Sequence, residues 1–308
     1  MQPTGPRAMA GAVPPPPQIS LLGGFSLTIA DSPVFVPTHA CRVLAFLSLD
    51  RIGRPDCARN VLAERLWSEV AAKRAHASLR TALWRIRQAH PELIRAARDR
   101  VRLDETVEVD VHRTQAQATR LLSDDPELRP ADTQITPLVG DLLPGWDEDW
   151  LLLERERIRQ LQVHALEALS RRLRKLGRYS QAIDVAFAVI AAEPLRESGH
   201  TALIDTYLAE GNVAQAHQQL DWYASLLWRE LGLDPSPALL DRMGVHAHRG
   251  ADADQGDKRQ PAQTFPHVLR RRHERLELVD GLGAGLDRTA ASSPQYPDGL
   301  HRARTGLR

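Results

Sequence analysis

The stretch ASLRTALWRIR, residues 77–87, sets Leu79, Leu83 and Ile86 at helical spacing and sorts its charges onto the opposite side. With Ala75 they form the apolar stripe of a helix running from about Ala71 to Ala89, where Pro91 stops it. The outward face then presents Arg80, Thr81, Trp84, Arg85, Arg87 and Gln88. Arg80, Trp84 and Arg87 stand at i, i+4 and i+7, with Thr81, Arg85 and Gln88 in the adjacent row. Arg and Gln can make paired hydrogen bonds to guanine or adenine edges, and Thr can offer its methyl to thymine. Lys73 and Arg74 lie near the helix N-terminus, a place suited to a phosphate. Taken alone, an Arg-rich helix face is usually just solvated, so the flanking sequence has to decide.

Upstream, Ile19, Leu21, Phe25, Leu27 and Ile29 alternate like a half-buried strand with a bend at Gly23-Gly24. Val34 and Val36 read as the strand returning after an Asp31-Ser32-Pro33 turn. Ala40, Val43, Leu44 and Leu47 predict a first helix, ended by Gly53 and Pro55. Asp56 is the expected N-cap of a second, with Val61, Leu62, Leu66 and Trp67 on its apolar face. Downstream, Val101, Leu103, Val107, Val109 and Val111 alternate around Asp104-Glu105-Thr106 and read as a β-hairpin. Arg98, Arg100 and Arg102 fall on or beside it, within reach of a DNA backbone or minor groove. The order of strands, three helices and hairpin is that of a helix-turn-helix with a wing. Trp84 has two readings, packing beneath the wing or contact with a thymine methyl.

Charge supports the same reading once it is divided. The whole chain carries 40 Lys and Arg against 39 Asp and Glu, and that balance by itself argues against a nucleic-acid binder. Residues 38–102, however, hold fourteen basic and six acidic residues, and residues 103–160 hold six basic and fourteen acidic. A basic module sits beside an acidic one, as expected of a DNA-binding head tied to an interaction domain.

Beyond an Asp- and Pro-rich connector at 123–145, the chain turns helical. The periodicity predicts helices over Leu151–Leu176, Tyr179–Ala192, Leu195–Ala209 and Val213–Leu231, and a short last one opened by Pro235. Gly177, Tyr179, Ala182 and Ala186 are matched 34 residues later by Gly211, Val213, Ala216 and Leu220. That is the tetratricopeptide period, with small residues at the helix crossing, and Pro194 stands where such a repeat stops. Residues 1–17, ending in four prolines, are expected to be a disordered leader. Apolar residues thin out after Arg249, so residues 248–308 are expected to be a mostly disordered tail, with at most a short helix near His267–Val279.

Other classes find little support. The longest apolar run in the body, Val185–Ala192, is far short of the ~20 residues of a membrane helix. The N-terminus has no signal-peptide core, and Cys41 and Cys57 alone fit a reducing cytoplasm. No Gly-x-Ser-x-Gly, His-Glu-x-x-His or phosphate loop occurs, so neither catalysis nor a cofactor or metal is expected. The histidines at 246, 248, 267 and 273 are dispersed. Asp147, Glu148, Asp149, Glu154 and Glu156 suit a helix start better than a catalytic carboxylate pair. Trp146 and Trp150 are expected to pack the helical domain onto the winged helix.

Several segments carry a resemblance: LLGGFSLTI, LAERLW, ASLRTALWRIR, VRLDETVEVDV, DLLPGWDEDWLLLERER, GRYSQAIDVA, LRESGHTALIDTYLAEGN and RELGLDPSPAL. Residues 19–112 resemble the OmpR-type winged helix of SARP-type transcriptional activators, and 119–245 resemble their bacterial transcriptional activation domain. The resemblance implies a mainly α fold with small β-sheets: a winged-helix domain at 18–112, then a tetratricopeptide-like all-α domain at 113–247. It further implies a cytoplasmic bacterial regulator that binds double-stranded DNA at repeated sites as a homodimer and recruits RNA polymerase. Arg80, Thr81, Trp84, Arg85 and Arg87 fall where the family's recognition helix contacts DNA. Ser68, Glu69, Val70, Ala71 and Ala72 fall where such winged helices meet the polymerase. One departure is Cys57-Ala58-Arg59, where the family usually has Arg-Glu-Glu, so the capping box is missing. Two other readings stay open, a protein-interaction adaptor with a non-functional winged helix and an effector-sensing regulator.

Overall fold

A computed structural model describes residues 15–50, 56–123 and 127–245. The leader up to residue 14, the Gly53 and Pro55 helix stop, and the tail from 246 onward (including His267–Val279) lie outside the described residues.

The chain opens with strand β1 (Gln18–Ser20), antiparallel to β2 (Ser26–Ile29), with Ile19 opposite Leu27. Ala30 and Asp31 both take positive φ, 48° and 59°, so the turn is a tight two-residue one. It comes earlier than the Asp31-Ser32-Pro33 turn, and the returning strand β3 is Ser32–Pro33, not Val34 and Val36. Val34 still donates its N–H to Leu27 C=O at 2.8 Å.

Helices α1 (Thr38–Asp50), α2 (Arg59–Leu66) and α3 (Ala72–Ala89) follow. Ala40, Val43, Leu44 and Leu47 of α1, Leu62 and Leu66 of α2, and Ala75, Leu79, Leu83 and Ile86 of α3 are all buried in one core, whereas Val61 is exposed. Asp56 does not cap α2. The cap position is Ala58, which makes no side-chain bond, because Cys57–Ala58 form a short strand, β4. It pairs with the wing, Cys57 opposite Val101, and buries Cys57 there.

The wing is the antiparallel pair β5 (Ile94–Ala97) and β6 (Arg100–Leu103), turning at Arg98 with φ 52°. The hairpin expected around 104–106 is therefore displaced. Val101 and Leu103 line the wing, but Val109 belongs to β7 (Glu108–Val109), which runs parallel to β1 in the other sheet, with Ile19 opposite Val109. Val111 lies in the first turn of α4 (Asp110–Leu122), an amphipathic helix that buries Val111, Thr114, Ala118 and Leu121. Alternation reports which side chains are buried and says nothing of the strand each one pairs with. Asp110 fixes this junction: its carboxylate accepts the backbone N–H groups of Leu21 and Leu22, each at 2.9 Å.

Single 3-10 turns at Pro130–Thr133 and Thr136–Leu138 lead into α5 (Asp149–Lys175), α6 (Tyr179–Ala192), α7 (Glu197–Glu210), α8 (Val213–Leu231) and α9 (Pro237–Arg242). Consecutive members from α5 to α8 pack on one another. Gly177 and Gly211 turn the chain at equivalent places with φ 69° and 87°, conformations that favour glycine. Ala182, Ala186, Ala216 and Leu220, the repeat's crossing residues, are buried. The last helix opens at Pro237, after Pro235, because Ser236 caps it by accepting the Leu239 N–H.

The two halves share a core. Leu142, Leu143, Leu151 and Ile158 are buried in the same cluster as the three N-terminal helices. Trp146 meets Phe25 at 6.0 Å between ring centroids, and Trp150 meets Phe46 edge-on at 5.2 Å. Both tryptophans thus pack the helical region onto the winged helix. Arg155 secures the turn before α5, donating to the carbonyls of Leu142, Leu143 and Trp146 at 2.9, 2.5 and 2.7 Å. The protein is mainly α with small sheets, a winged helix followed by a tetratricopeptide-like helical domain.

Candidate nucleic-acid interface

Helix α3 owes its placement to one buried row and leaves the rest outside. Lys73, Arg74, Arg80, Thr81, Trp84, Arg85, Arg87 and Gln88 are all exposed. Among the described residues, Lys73, Arg74, Arg80 and Arg87 make no ion pair with a carboxylate, so their charge faces solvent. Thr81 Oγ1 donates to the Ala77 carbonyl at 3.1 Å. Trp84 is 52% exposed, which removes the reading that it packs beneath the wing. The Arg85 guanidinium lies over its ring, 4.8 Å from the centroid, a cation–π contact.

The wing divides its arginines. Arg98 sits exposed at the turn. Arg100 donates to the Asp56 carbonyl at 2.8 Å. Arg102 pairs with Glu105 at 2.7 Å and lies 3.9 Å from the Asp56 carboxylate. Arg95, which sequence reasoning had not singled out, pairs with Asp104. Burial raises the Asp104 carboxyl, but hydrogen bonds from the Thr106 N–H and hydroxyl and from Arg95 outweigh it and lower its pKa to about 2. The wing's base is thus held in part by its own ion pairs, and Arg98, at the turn, has no ion pair among the described residues.

Ser68, Glu69, Val70 and Ala71, between α2 and α3, and Ala72, the first residue of α3, are all exposed, next to the buried Trp67. Trp67 is met from α1. Arg42 donates to the Leu66 carbonyl at 2.5 Å, and its guanidinium stands 5.6 Å from the Trp67 ring centroid. Arg42 also pairs with Glu148, the residue preceding α5. Local sequence carries no signal for that pair, since the partners are 106 positions apart.

In the helical domain, a cleft of about 350 Å³ is lined by residues including Glu167, Arg171, Glu197 and Asp205. Asp205 is clasped by Arg174 at 2.9 Å and Arg242 at 3.0 Å. No group of three or more metal-ligating side chains occurs among the described residues, and no helix there is long and apolar enough to cross a membrane.

Comparison with known proteins bears on the family. Residues 109–243 match the bacterial transcriptional activator domain. No curated protein matches the chain. Among solved structures, the fold is similar to that of EmbR from Mycobacterium tuberculosis, determined in complex with a low affinity phosphopeptide. The TM-score is 0.60 and the identity 22%, over 86% of this chain and 71% of that one. Residues 109–243 are thus similar to a bacterial transcriptional activator domain, and the likeness to EmbR over most of the chain is one of fold.

Proposed function

We propose that the protein is a sequence-specific DNA-binding activator that works in the bacterial cytoplasm. Helix α3 enters the major groove, Arg80, Arg85, Arg87 and Gln88 read base edges, and Lys73, Arg74 and Arg98 hold the phosphate backbone. The loop Ser68–Ala72 meets RNA polymerase, and two copies occupy repeated promoter sites. The observation that supports this best is the exposed face of α3, whose Lys73, Arg74, Arg80 and Arg87 have no carboxylate partner among the described residues. Joined to the winged-helix order, these like charges form the electrostatic footprint of a polyanion-binding face.

Genome-wide mapping of bound sites, followed by footprinting of wild type and an Arg80→Ala/Arg85→Ala variant, tests the reading. Wild type is expected to protect repeated promoter sequences and the variant to lose that preference. Equal protection by both proteins, or none by either, overturns the base-reading role. Polymerase recruitment is tested separately by in vitro transcription with Glu69→Ala/Val70→Ala, expected to bind promoter DNA normally and to activate less.

A further inference from the structure

The cleft among α5, α7 and α9 holds more hydrogen-bond donors than its own walls engage. Arg171 and Arg174 stand three residues apart on one face of α5, and Arg242 comes from α9. Arg174 and Arg242 both reach Asp205 on α7, each through Nη1 alone. The Arg171 side chain makes no ion pair or hydrogen bond among the described residues. A guanidinium carries five N–H donors, so most of those on the three arginines are unengaged by the protein. The acids beside them are committed elsewhere. Glu167 is answered by Arg196 at 2.7 Å, and Glu197 accepts the Ser236 N–H at 2.8 Å and the Ser236 hydroxyl. With Glu167 answered, three guanidinium charges face two carboxylates, Asp205 and Glu197. We infer that this cleft binds a small organic anion, a carboxylated or phosphorylated molecule that accepts from Arg171 and from the unengaged N–H groups of Arg174 and Arg242.

Volume and chemistry select the ligand class. A cleft of about 350 Å³ lies at the lower end of small-molecule sites, roughly 300–1,000 Å³, so the occupant is a compact molecule. The planar fork of a guanidinium matches two oxygens of a carboxylate or phosphate with two parallel N–H groups. Thr201 also lines the cleft; its hydroxyl donates to the Glu197 carbonyl at 2.9 Å, and its lone pairs can accept from a hydroxyl on the ligand. An anion shared by Arg171 and Arg242 links α5 to α9, which the ion pair to Asp205 and the Ser236–Glu197 contacts already tie to α7. The cleft shares no residue with α3, so the inference stands apart from the DNA-binding reading.

The full chain is titrated with citrate and, separately, with inorganic phosphate, and binding is read by calorimetry and by amide hydrogen exchange. Citrate is expected to saturate and to slow exchange in α9 and in the turns of α5 and α7 that face it. Phosphate, which spans fewer of the arginines, is expected to bind more weakly at the same place. Arg171→Gln, at an exposed residue with no partner to lose, is expected to weaken citrate about tenfold, the weight of one charge-assisted hydrogen bond, and Arg171→Lys less. Arg80→Ala/Arg87→Ala controls for the basic face of α3 and is expected to bind citrate like wild type. The inference is overturned if neither anion saturates at millimolar concentrations. It is overturned equally if Arg171→Gln binds as wild type does, or if exchange slows at α3 and not at α9, since the anion then sits elsewhere.

Discussion

Arg42 and Glu148 join the two halves of the molecule through a half-buried ion pair, Nε to Oε1 at 2.6 Å and Nη2 to Oε2 at 2.7 Å. Glu148 also accepts the Trp150 indole N–H at 2.9 Å, and Arg42 donates to the last carbonyl of α2 at 2.5 Å. The pair therefore carries the start of the helical domain to the base of the α2–α3 loop. Glu148→Ala is expected to lower unfolding free energy by about 1–3 kcal/mol, because it strands a guanidinium and an indole donor together. Glu148→Gln, whose amide oxygen can still accept, is expected to lose less. Urea unfolding of the three proteins measures both, and equal stability of Glu148→Ala and wild type would refute the coupling.

Gly199 shows how closely α6 and α7 approach. A Cβ there would stand 2.8 Å from Cγ1 of Val189, a fully buried side chain. Gly199→Ala gains about 1 kcal/mol in helix propensity and costs about 1–3 kcal/mol in overpacking, so net destabilisation is expected. A double-mutant cycle with Val189→Ala separates the terms. The overpacking loss is expected to shrink when Val189 is truncated, and additive effects would show that the helices separate instead.

His200 imposes a pH dependence. Its ring is fully buried, stacked on Tyr223 at 4.1 Å, with Nε2 2.8 Å from the Pro194 carbonyl and Nδ1 2.8 Å from Gln219 Nε2. Burial lowers its pKa to about 4, against the weaker opposing pull of the Pro194 hydrogen bond and Glu197. The folded state thus resists the proton that the unfolded chain accepts near 6.5. The stability this contributes is complete above that pH and is lost as pH falls toward 4, about 3 kcal/mol in all. Asp104, held near 2, acts only at lower pH. Unfolding free energies between pH 7 and 4 are expected to fall steeply in wild type and less steeply in His200→Asn; parallel curves would discount the histidine.

The same local-versus-distant division decides what the sequence could reveal. Helices α3, α6 and α8 are legible because the apolar rows Leu79–Leu83–Ile86, Ala182–Ala186 and Ala216–Leu220 are set by spacing within one element. Cys57 and Val109 are not, because each is claimed by a strand from elsewhere, Val101 in the wing and Ile19 in β1. Asp56 has the chemistry of a cap, yet burying Cys57 against the wing starts the helix later. The exposed row of α3 was readable as a face, since burial of Leu83 and Ile86 leaves Arg80, Trp84 and Arg87 no other side. What the wing arginines do was not readable, because Glu105 and Asp56 occupy Arg102, and the Asp56 carbonyl occupies Arg100, only in the folded chain.

That difference among the arginines separates two kinds of DNA contact by salt. Lys73 and Arg74, near the start of α3 with no carboxylate partner among the described residues, are placed for phosphates, where each neutralised charge releases about 0.9 of a counterion. Lys73→Ala and Arg74→Ala are expected to weaken binding to all sequences alike and to flatten the slope of log K against log salt by roughly 0.9 each. Arg80→Ala, losing a base contact, is expected to cost about 1–3 kcal/mol on the preferred sequence, with little change for random DNA. Arg102→Ala should do less than any of these, because its charge is already spent on Glu105 and Asp56. Filter-binding titrations across a salt series, on selected and scrambled duplexes, give slope and discrimination from one data set. If Arg80→Ala changes the slope like Lys73→Ala and leaves discrimination intact, Arg80 is a backbone contact, and base reading must rest on the remainder of the row.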